Sequence, residues 1–149
     1  MRAPPAQQIG SAARIGDVLY DPLDPLLIGA FVRQPAHLSP IGAVRSAMQE
    51  ILAPLPPDAT AQEGERQRLL TSIPELRAAL FDRPEESIVL LAAATAERSG
   101  RSPDDREVRV WSGAILGTVV AVYSAADPDT NISARLERAL AILEATRQQ

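Results

Sequence analysis

The last third of the chain contains the feature that most limits how it can fold. An uncharged run, VWSGAILGTVVAVYSAA, occupies 110–126, and an amphipathic segment, ISARLERALAILEA, follows at 132–145. The apolar positions of both segments recur with helical spacing rather than the period of two that is typical of strands. We therefore predict two helices here. Their apolar faces are larger than a small domain easily covers, so we expect a second copy to cover the remainder.

The apolar run of 110–126 is too short and too polar to be read as a membrane span. At 1.5 Å per residue it extends over about 25 Å, against about 30 Å of bilayer hydrocarbon. It also contains Ser112, Thr118 and Ser124. The first ten residues lack the apolar segment of a signal peptide. We expect a cytoplasmic protein without a membrane partner.

Composition narrows the possible functions of the chain. Its 149 residues fit one domain. Cysteine is absent, histidine occurs once and the net charge is −4. This composition offers no thiolate or histidine metal site. The sequence also shows no nucleophile–base pair and no phosphate loop, so we predict no metal, no cofactor and no enzymatic activity, with a site made of carboxylates as the alternative. All the basic side chains except His37 are arginines, and they are dispersed along the chain rather than forming the basic stripe of a nucleic-acid-binding domain.

Helix start signals recur along the chain. Asp24-Pro25, Ser39-Pro40 and Ser102-Pro103 each combine an N-cap residue with proline at the first helical position. No segment shows sustained alternation of apolar and polar residues. The sequence therefore predicts an all-α bundle of about six to seven helices over 17–149. It also predicts a disordered leader over 1–16, where two adjacent prolines and small polar residues predominate.

Five segments taken in order carry a family resemblance. They are GDVLYDPLDPLL, SPIGAVRSAM, RQRLLTSIPELRAALFDRPEE, AAATAERSGRSPDDREVRVWSGAILGTVVAVYSA and ISARLERALAILEA. In this order they resemble the C-terminal half of TetR-family transcriptional regulators, in the subgroup of the mycofactocin-system regulator. The hinge ending in PDD before the long helix and the closing RLERALAILEA are the most family-like parts.

The resemblance implies a ligand-sensing and dimerisation domain of a transcriptional regulator. Regulators of this family begin with a helix-turn-helix domain, whereas 1–16 contain no helix-turn-helix pattern and no basic recognition helix. We therefore expect DNA contact only through a helix-turn-helix domain that is absent from this chain. The alternative function is a stand-alone helical module that binds proteins or small molecules and has no role in transcription.

The resemblance also implies a homodimer in which the last two helices, 105–126 and 130–145, pair with their copies. Small residues recur every four positions at Gly113, Gly117 and Ala121. Each glycine costs about 1 kcal/mol of helix propensity relative to alanine, which close approach of another helix would offset. Packing within one chain is the alternative explanation. The predicted interface residues are Gly113, Gly117, Ala121, Ile132, Leu136, Leu140 and Leu143.

A small apolar effector would bind between helices, among apolar side chains with few polar groups. The predicted ligand-binding residues are Phe31, Met48, Leu52, Leu91, Trp111 and Ile115. For each of them an ordinary position in the hydrophobic core is the alternative.

Overall fold

The computed structural model describes residues 25–79, 81–125 and 131–149. Within these ranges the chain forms seven α-helices and no β-strand, which confirms the predicted all-α bundle. The helices are α1 (Pro25–Arg33), α2 (Pro40–Leu52), α3 (Pro57–Ser72), α4 (Pro74–Ala79), α5 (Pro84–Ser99), α6 (Arg106–Ser124) and α7 (Ile132–Arg147). The predicted leader, 1–16, lies outside the described residues.

The start of α2 follows the chemistry that its sequence predicts. Ser39 is the N-cap, and its Oγ accepts a hydrogen bond from the Gly42 N–H at 2.9 Å. Pro40 fills the first helical position, where its missing N–H has no consequence. The buried residues of α2 are Ile41, Ala43, Val44, Ala47 and Met48. These apolar residues form the side of α2 that packs into the core.

Helix α3 begins at Pro57. Thr60 and Glu63 have the sequence spacing of a capping box, which would start the helix at Thr60, but they do not form one. The Thr60 hydroxyl donates to the carbonyl of Pro56 at 3.2 Å, and the Glu63 carboxylate faces side chains further along α3. Proline favours the first turn because its φ is already helical, so the helix starts at the proline rather than at the polar pair.

The connection between α5 and α6 contains a glycine that ends one helix and an N-cap that differs from the predicted one. Gly100 ends α5 in the left-handed conformation, with φ of 69°, as expected of a glycine after a helix. Helix α6 begins at Arg106, so its N-cap is Asp105 and not the predicted Ser102. The Asp105 carboxylate accepts a hydrogen bond from the Glu107 N–H at 2.8 Å. An ionised cap also suits the positive end of the helix dipole.

The main core lies where α1, α2, α5, α6 and α7 meet. Phe31 and Leu140 are completely or almost completely buried there. Helix α6 packs on both α5 and α7, and α2 packs on α1 and α7. A smaller cluster of Val122, Tyr123 and Ile132 lies where α6 and α7 approach their connecting segment. Both of the last two helices therefore place one side in the interior of the same chain.

Candidate functional site

A cavity of about 240 Å³ lies between α1, α2, α3, α6 and α7. Its wall is largely apolar, with polar side chains from α3 and from the first turn of α7. The lining residues are Leu26, Leu27, Met48, Ile51, Leu52, Leu55, Glu63, Arg66, Gln67, Val119, Tyr123, Ile132, Ser133 and Leu136. A concave apolar site with a few polar groups is typical of small-molecule binding. Its volume lies below the range of about 300–1,000 Å³ that drug-sized ligands occupy, which favours a small ligand.

Four side chains that bond to one another form the polar part of the wall. The amide Nε2 of Gln67 donates to Glu63 Oε1 and to Ser133 Oγ, each at 2.9 Å. Arg66 Nε donates to Glu63 Oε2 at 2.9 Å, and its Nη2 bonds to the other carboxylate oxygen. The guanidinium and the carboxylate thus form a bidentate pair and neutralise each other in the cavity wall.

The sequence interpretation missed the polar wall because α3 reads as a solvated helix. A usable signal was nevertheless present in its spacing. Gln67, Leu70 and Thr71 are the buried residues of α3 and follow the spacing of one helix face. A glutamine in phase with buried positions indicates a polar group held inside the bundle, where it requires hydrogen-bond partners.

The structure divides the predicted ligand-binding residues between two places. Met48 and Leu52 line the cavity. Phe31, Leu91 and Ile115 are buried in the main core, away from the cavity wall. The cavity lies on the side of α6 that carries Val119 and Tyr123, one to two turns beyond the predicted positions, because an apolar pattern locates a helix face but not a void along it.

Trp111, the sixth predicted ligand-binding residue, is partly buried against the main core and does not line the cavity. It lies one turn after Glu107 on α6. The pKa of the Glu107 carboxyl is lowered, chiefly by its hydrogen bond and charge contact with Arg101 and in smaller part by a hydrogen bond with Trp111. Trp111 thus lies beside the start of α6, apart from the residues that line the cavity.

Helix α6 leaves a row of small residues uncovered on the side away from the cavity. Gly113 is half-exposed, whereas Gly117 and Ala121 are exposed. Among the described residues, a Cβ atom added at Gly113 or Gly117 would meet nothing within 4 Å. At about 100° per residue, this row is opposite Val119 and Tyr123. Packing within the described chain therefore gives no reason for the glycines.

The side chains that α7 exposes on its surface are not the ones predicted to form the dimer interface. Ile132 and Leu140 are 2% and 0% exposed, and Leu136 and Leu143 are partly buried against the interior clusters. A side chain without exposed surface cannot add contact area to an interface, so the predicted contact role of Ile132 and Leu140 does not fit their burial. The exposed row of α7 is Ala134, Arg138, Ile142 and Ala145.

A group of ionic contacts attaches α7 to the start of α2. The Ser39 hydroxyl donates to Glu144 Oε1 at 2.9 Å, and Arg45 Nη1 donates to Glu144 Oε2 at 2.7 Å. Arg45 also reaches Glu137 through Nε at 2.9 Å. The hydrogen bond from Ser39, followed by the contact with Arg45, lowers the pKa of the Glu144 carboxyl. A Cβ at Gly42 would lie 2.9 Å from Glu144 Oε1, so glycine allows this close approach.

The described ranges, 25–79, 81–125 and 131–149, contain neither a helix that could span a membrane nor a cluster of metal ligands. No helix there is long and apolar enough to pass through a lipid bilayer. The same residues contain no cluster of histidine, cysteine, aspartate or glutamate side chains that could hold a metal ion. The cavity and the open sides of α6 and α7 are therefore the features on which a functional assignment can be based.

In the described part of the chain, an all-α domain, the last two helices both line an apolar cavity. Residues 38–148 match the model of the MftR C-terminal domain, one of the TetR C-terminal families. The match covers most of the chain, so the protein belongs to this family, and the resemblance seen in its sequence is confirmed. The general role of these domains is ligand binding and dimerisation within regulators. No curated protein matches the chain.

Proposed function

We propose that this domain senses a small, largely apolar effector in the cavity and forms a homodimer through the outer sides of α6 and α7. One observation carries the proposal: the same two helices line the cavity with one side and leave small residues open on the other. Val119 and Tyr123 face the cavity, whereas Gly117 and Ala121 are exposed. A ligand that shifts α6 or α7 would therefore act directly on the dimer contact.

The exposed glycines support a second copy as the occupant of this side of α6. Gly113 and Gly117 together cost about 2 kcal/mol of helix propensity relative to alanine. Among the described residues nothing lies close enough to require the absence of a Cβ at either position. Close helix–helix contact with another chain is an interaction that small residues permit. Membership of the MftR C-terminal family, a dimerising class of regulator domain, makes an identical chain the expected partner.

The mechanism that we propose is a shift between two arrangements of the dimer. A ligand can shift such an equilibrium only by as much as it binds one arrangement better than the other. In a regulator in which this domain follows a helix-turn-helix domain, the change would alter the spacing of the DNA-reading heads and hence the affinity for an operator. We assign this domain the sensing step, in the cytoplasm, and no catalytic step.

The distribution of arginines supports leaving DNA contact to a separate domain. Several exposed arginines bond to carboxylates of the same chain, for example Arg33 to Glu50 at 2.9 Å and Arg68 to Glu65 at 2.7 Å. Both contacts involve side chains that are roughly half-exposed. Arginines neutralised in this way contribute little to the release of counterions that drives binding to DNA.

The test of the dimer is a substitution that adds bulk to the open side of α6. We expect Gly117→Arg to give a folded monomer, because a side chain there meets no described residue in its own chain but would block a second helix. Molar mass is measured by size exclusion with light scattering across a dilution series. The wild-type chain should remain a dimer to low micromolar concentration, at which an interface of standard size is still populated.

Gly64→Arg is the matched control for this experiment. Gly64 is also an exposed helical glycine with no neighbour of its Cβ position among the described residues, but it lies on α3. The same charge and size are thus added away from α6. A wild-type monomer at all concentrations, or equal dissociation by both variants, would contradict the proposed interface.

A further inference from the structure

We propose that the effector is an uncharged, largely apolar molecule with a hydroxyl group, and that the hydroxyl binds Gln67 and Ser133. This inference rests on the proposed role of the cavity in ligand sensing. It adds the chemical class of the ligand and the two side chains that select it. Three properties of the cavity lead to it: the charge balance of its polar wall, the hydrogen-bonding capacity left in that wall, and its volume.

The polar wall is balanced in charge. Both oxygens of Glu63 accept hydrogen bonds from Arg66, and one of them also accepts from Gln67. A cationic ligand would have to compete with Arg66 for the Glu63 oxygens, and an anionic ligand would place a second negative charge beside Glu63. Either arrangement is costly in a half-buried site. The wall therefore selects against a charged head group.

The orientation of the Gln67 amide follows from its partners. A carboxylate only accepts hydrogen bonds, so the amide nitrogen must face Glu63 and the amide oxygen must point elsewhere. Among the described residues, no donor is bonded to Gln67 Oε1, and no acceptor is bonded to the hydroxyl hydrogen of Ser133. Gln67 is 7% exposed, but its Oε1 is not one of the fully buried described side-chain atoms that lack a partner. This oxygen is therefore within reach of a ligand that donates a hydrogen bond.

One acceptor and one donor are therefore available side by side. Gln67 Oε1 and Ser133 Oγ both neighbour the same amide nitrogen, so they lie within about 5 Å of each other. A hydroxyl group donates one hydrogen bond and accepts others. It can donate to Gln67 and accept from Ser133, whereas an ether or a ketone of the same shape can only accept. This asymmetry favours an alcohol or a phenol.

The volume limits the size of the ligand. The volume of about 240 Å³ is below the range of sites for drug-sized ligands, which restricts the ligand to a small molecule. We choose 1-octanol as a probe of this class. Leu27, Met48, Leu52 and Val119 provide apolar surface for its chain.

The first experiment compares three probes with the same alkyl chain: 1-octanol, octanoate and octylammonium, each titrated calorimetrically into the full chain at pH 7. We expect 1-octanol to bind at least about tenfold more tightly than either ion, a difference that calorimetry resolves easily. Equal or tighter binding of an ion, or no binding of 1-octanol, overturns the inference. The dimer measured by light scattering does not depend on these titrations, so failure here is distinct from failure of the proposed dimer.

The second experiment tests the two side chains with a probe that cannot donate. Heptyl methyl ether has the shape of 1-octanol without its hydroxyl hydrogen. We expect the wild-type chain to prefer the alcohol about fivefold or more, as for one neutral hydrogen bond, and Gln67→Met to lose that preference. Ser133→Ala should reduce the preference and Ser133→Thr should restore it. Met48→Leu, in the apolar wall, should change the affinities for both probes alike. An unchanged preference in both Gln67→Met and Ser133→Ala overturns the assignment.

Discussion

Glu144 shows how a single side chain makes the stability of this domain depend on pH. Hydrogen bonds from Ser39 and Arg45 hold its carboxylate against the start of α2. They lower its pKa in the folded chain below the ordinary value of 4.5. A carboxyl with a lowered pKa stabilises the fold above its unfolded pKa, and this contribution is lost as the pH falls through the folded pKa.

The corresponding prediction concerns Glu144→Gln. At pH 7 the variant loses charge-assisted hydrogen bonds, so we expect its free energy of unfolding to fall by about 1–2 kcal/mol, allowing for partial exposure of the site. Below pH 4.5 the unfolded wild-type chain takes up a proton at Glu144 before the folded chain does, so the difference between the two proteins should shrink as the pH falls. Urea unfolding followed by circular dichroism at pH 7, 4 and 3 measures both effects.

Glu97→Gln provides the control, because Glu97 is exposed on α5 and forms no ion pair with a described residue. Its effect on stability at pH 7 should be small. A constant difference between wild type and Glu144→Gln from pH 7 to pH 3 would show that the Glu144 contact is not ionic in solution.

At the scale of elements, α7 has a core side and an open side that differ by only two positions in the sequence. Leu140 is completely buried and Ile142 is 68% exposed. Leu140→Ala should therefore destabilise the fold by about 2–5 kcal/mol through a cavity. Ile142→Ala should change it by less than about 0.5 kcal/mol. Both are measured by urea unfolding in a Gly117→Arg background, which separates folding from association.

The strength of dimer association gives a second test of the exposed row of α7, at Ile142. In the wild-type background, Ile142→Asp should weaken association if the exposed row of α7 contributes to the interface. Arg138→Asp adds the same side chain one turn earlier on that row and shows whether the effect on association extends along it.

The unfolding experiment has its own contrary outcome. If Ile142→Ala lowered the free energy of unfolding as much as Leu140→Ala, the core side and the open side of α7 would be wrongly assigned.

The helices could be predicted from the sequence because their start signals are local. Ser39-Pro40 determines the beginning of α2 through one side-chain bond and one restricted φ. The orientation of α7 could not be predicted in the same way. Its apolar stripe through Leu136 and Leu140 satisfies the spacing of a core face and of an interface equally well. Only the position of α2 and α6 against it distinguishes the two.

The sequence was enough to predict an apolar site between helices, but it did not show where along the helices that site lies. Its apolar walls follow from helix periodicity, and Met48 and Leu52 were found in that way. Its location depends on where the packed helices leave space, which is a property of all of them together. The polar wall depends on a contact between Gln67 and Ser133, residues far apart in the chain. No local pattern contains that pairing.

At the scale of the whole molecule, the cavity and the interface must be thermodynamically linked if the proposed mechanism holds. A ligand that favours the dimer must bind the dimer more tightly than the monomer, and the two effects are reciprocal. Since each homodimer would have two equivalent cavities, filling both changes the dimer association constant by the square of the affinity ratio per site. The monomeric Gly117→Arg chain and the wild-type dimer allow both quantities to be measured separately.

The prediction is that 1-octanol binds the wild-type dimer and the Gly117→Arg monomer with different affinities. The dissociation constant of the wild-type dimer, from dilution with and without saturating 1-octanol, should then shift by the square of that ratio. The Gly64→Arg chain carries the same added charge on α3, so its affinity for 1-octanol shows how much of the difference is due to charge alone. If the two affinities are equal while the dimer persists, the ligand does not act through the open sides of α6 and α7. The coupling would then have to reside in another part of a regulator, because a ligand with equal affinity for two states shifts neither.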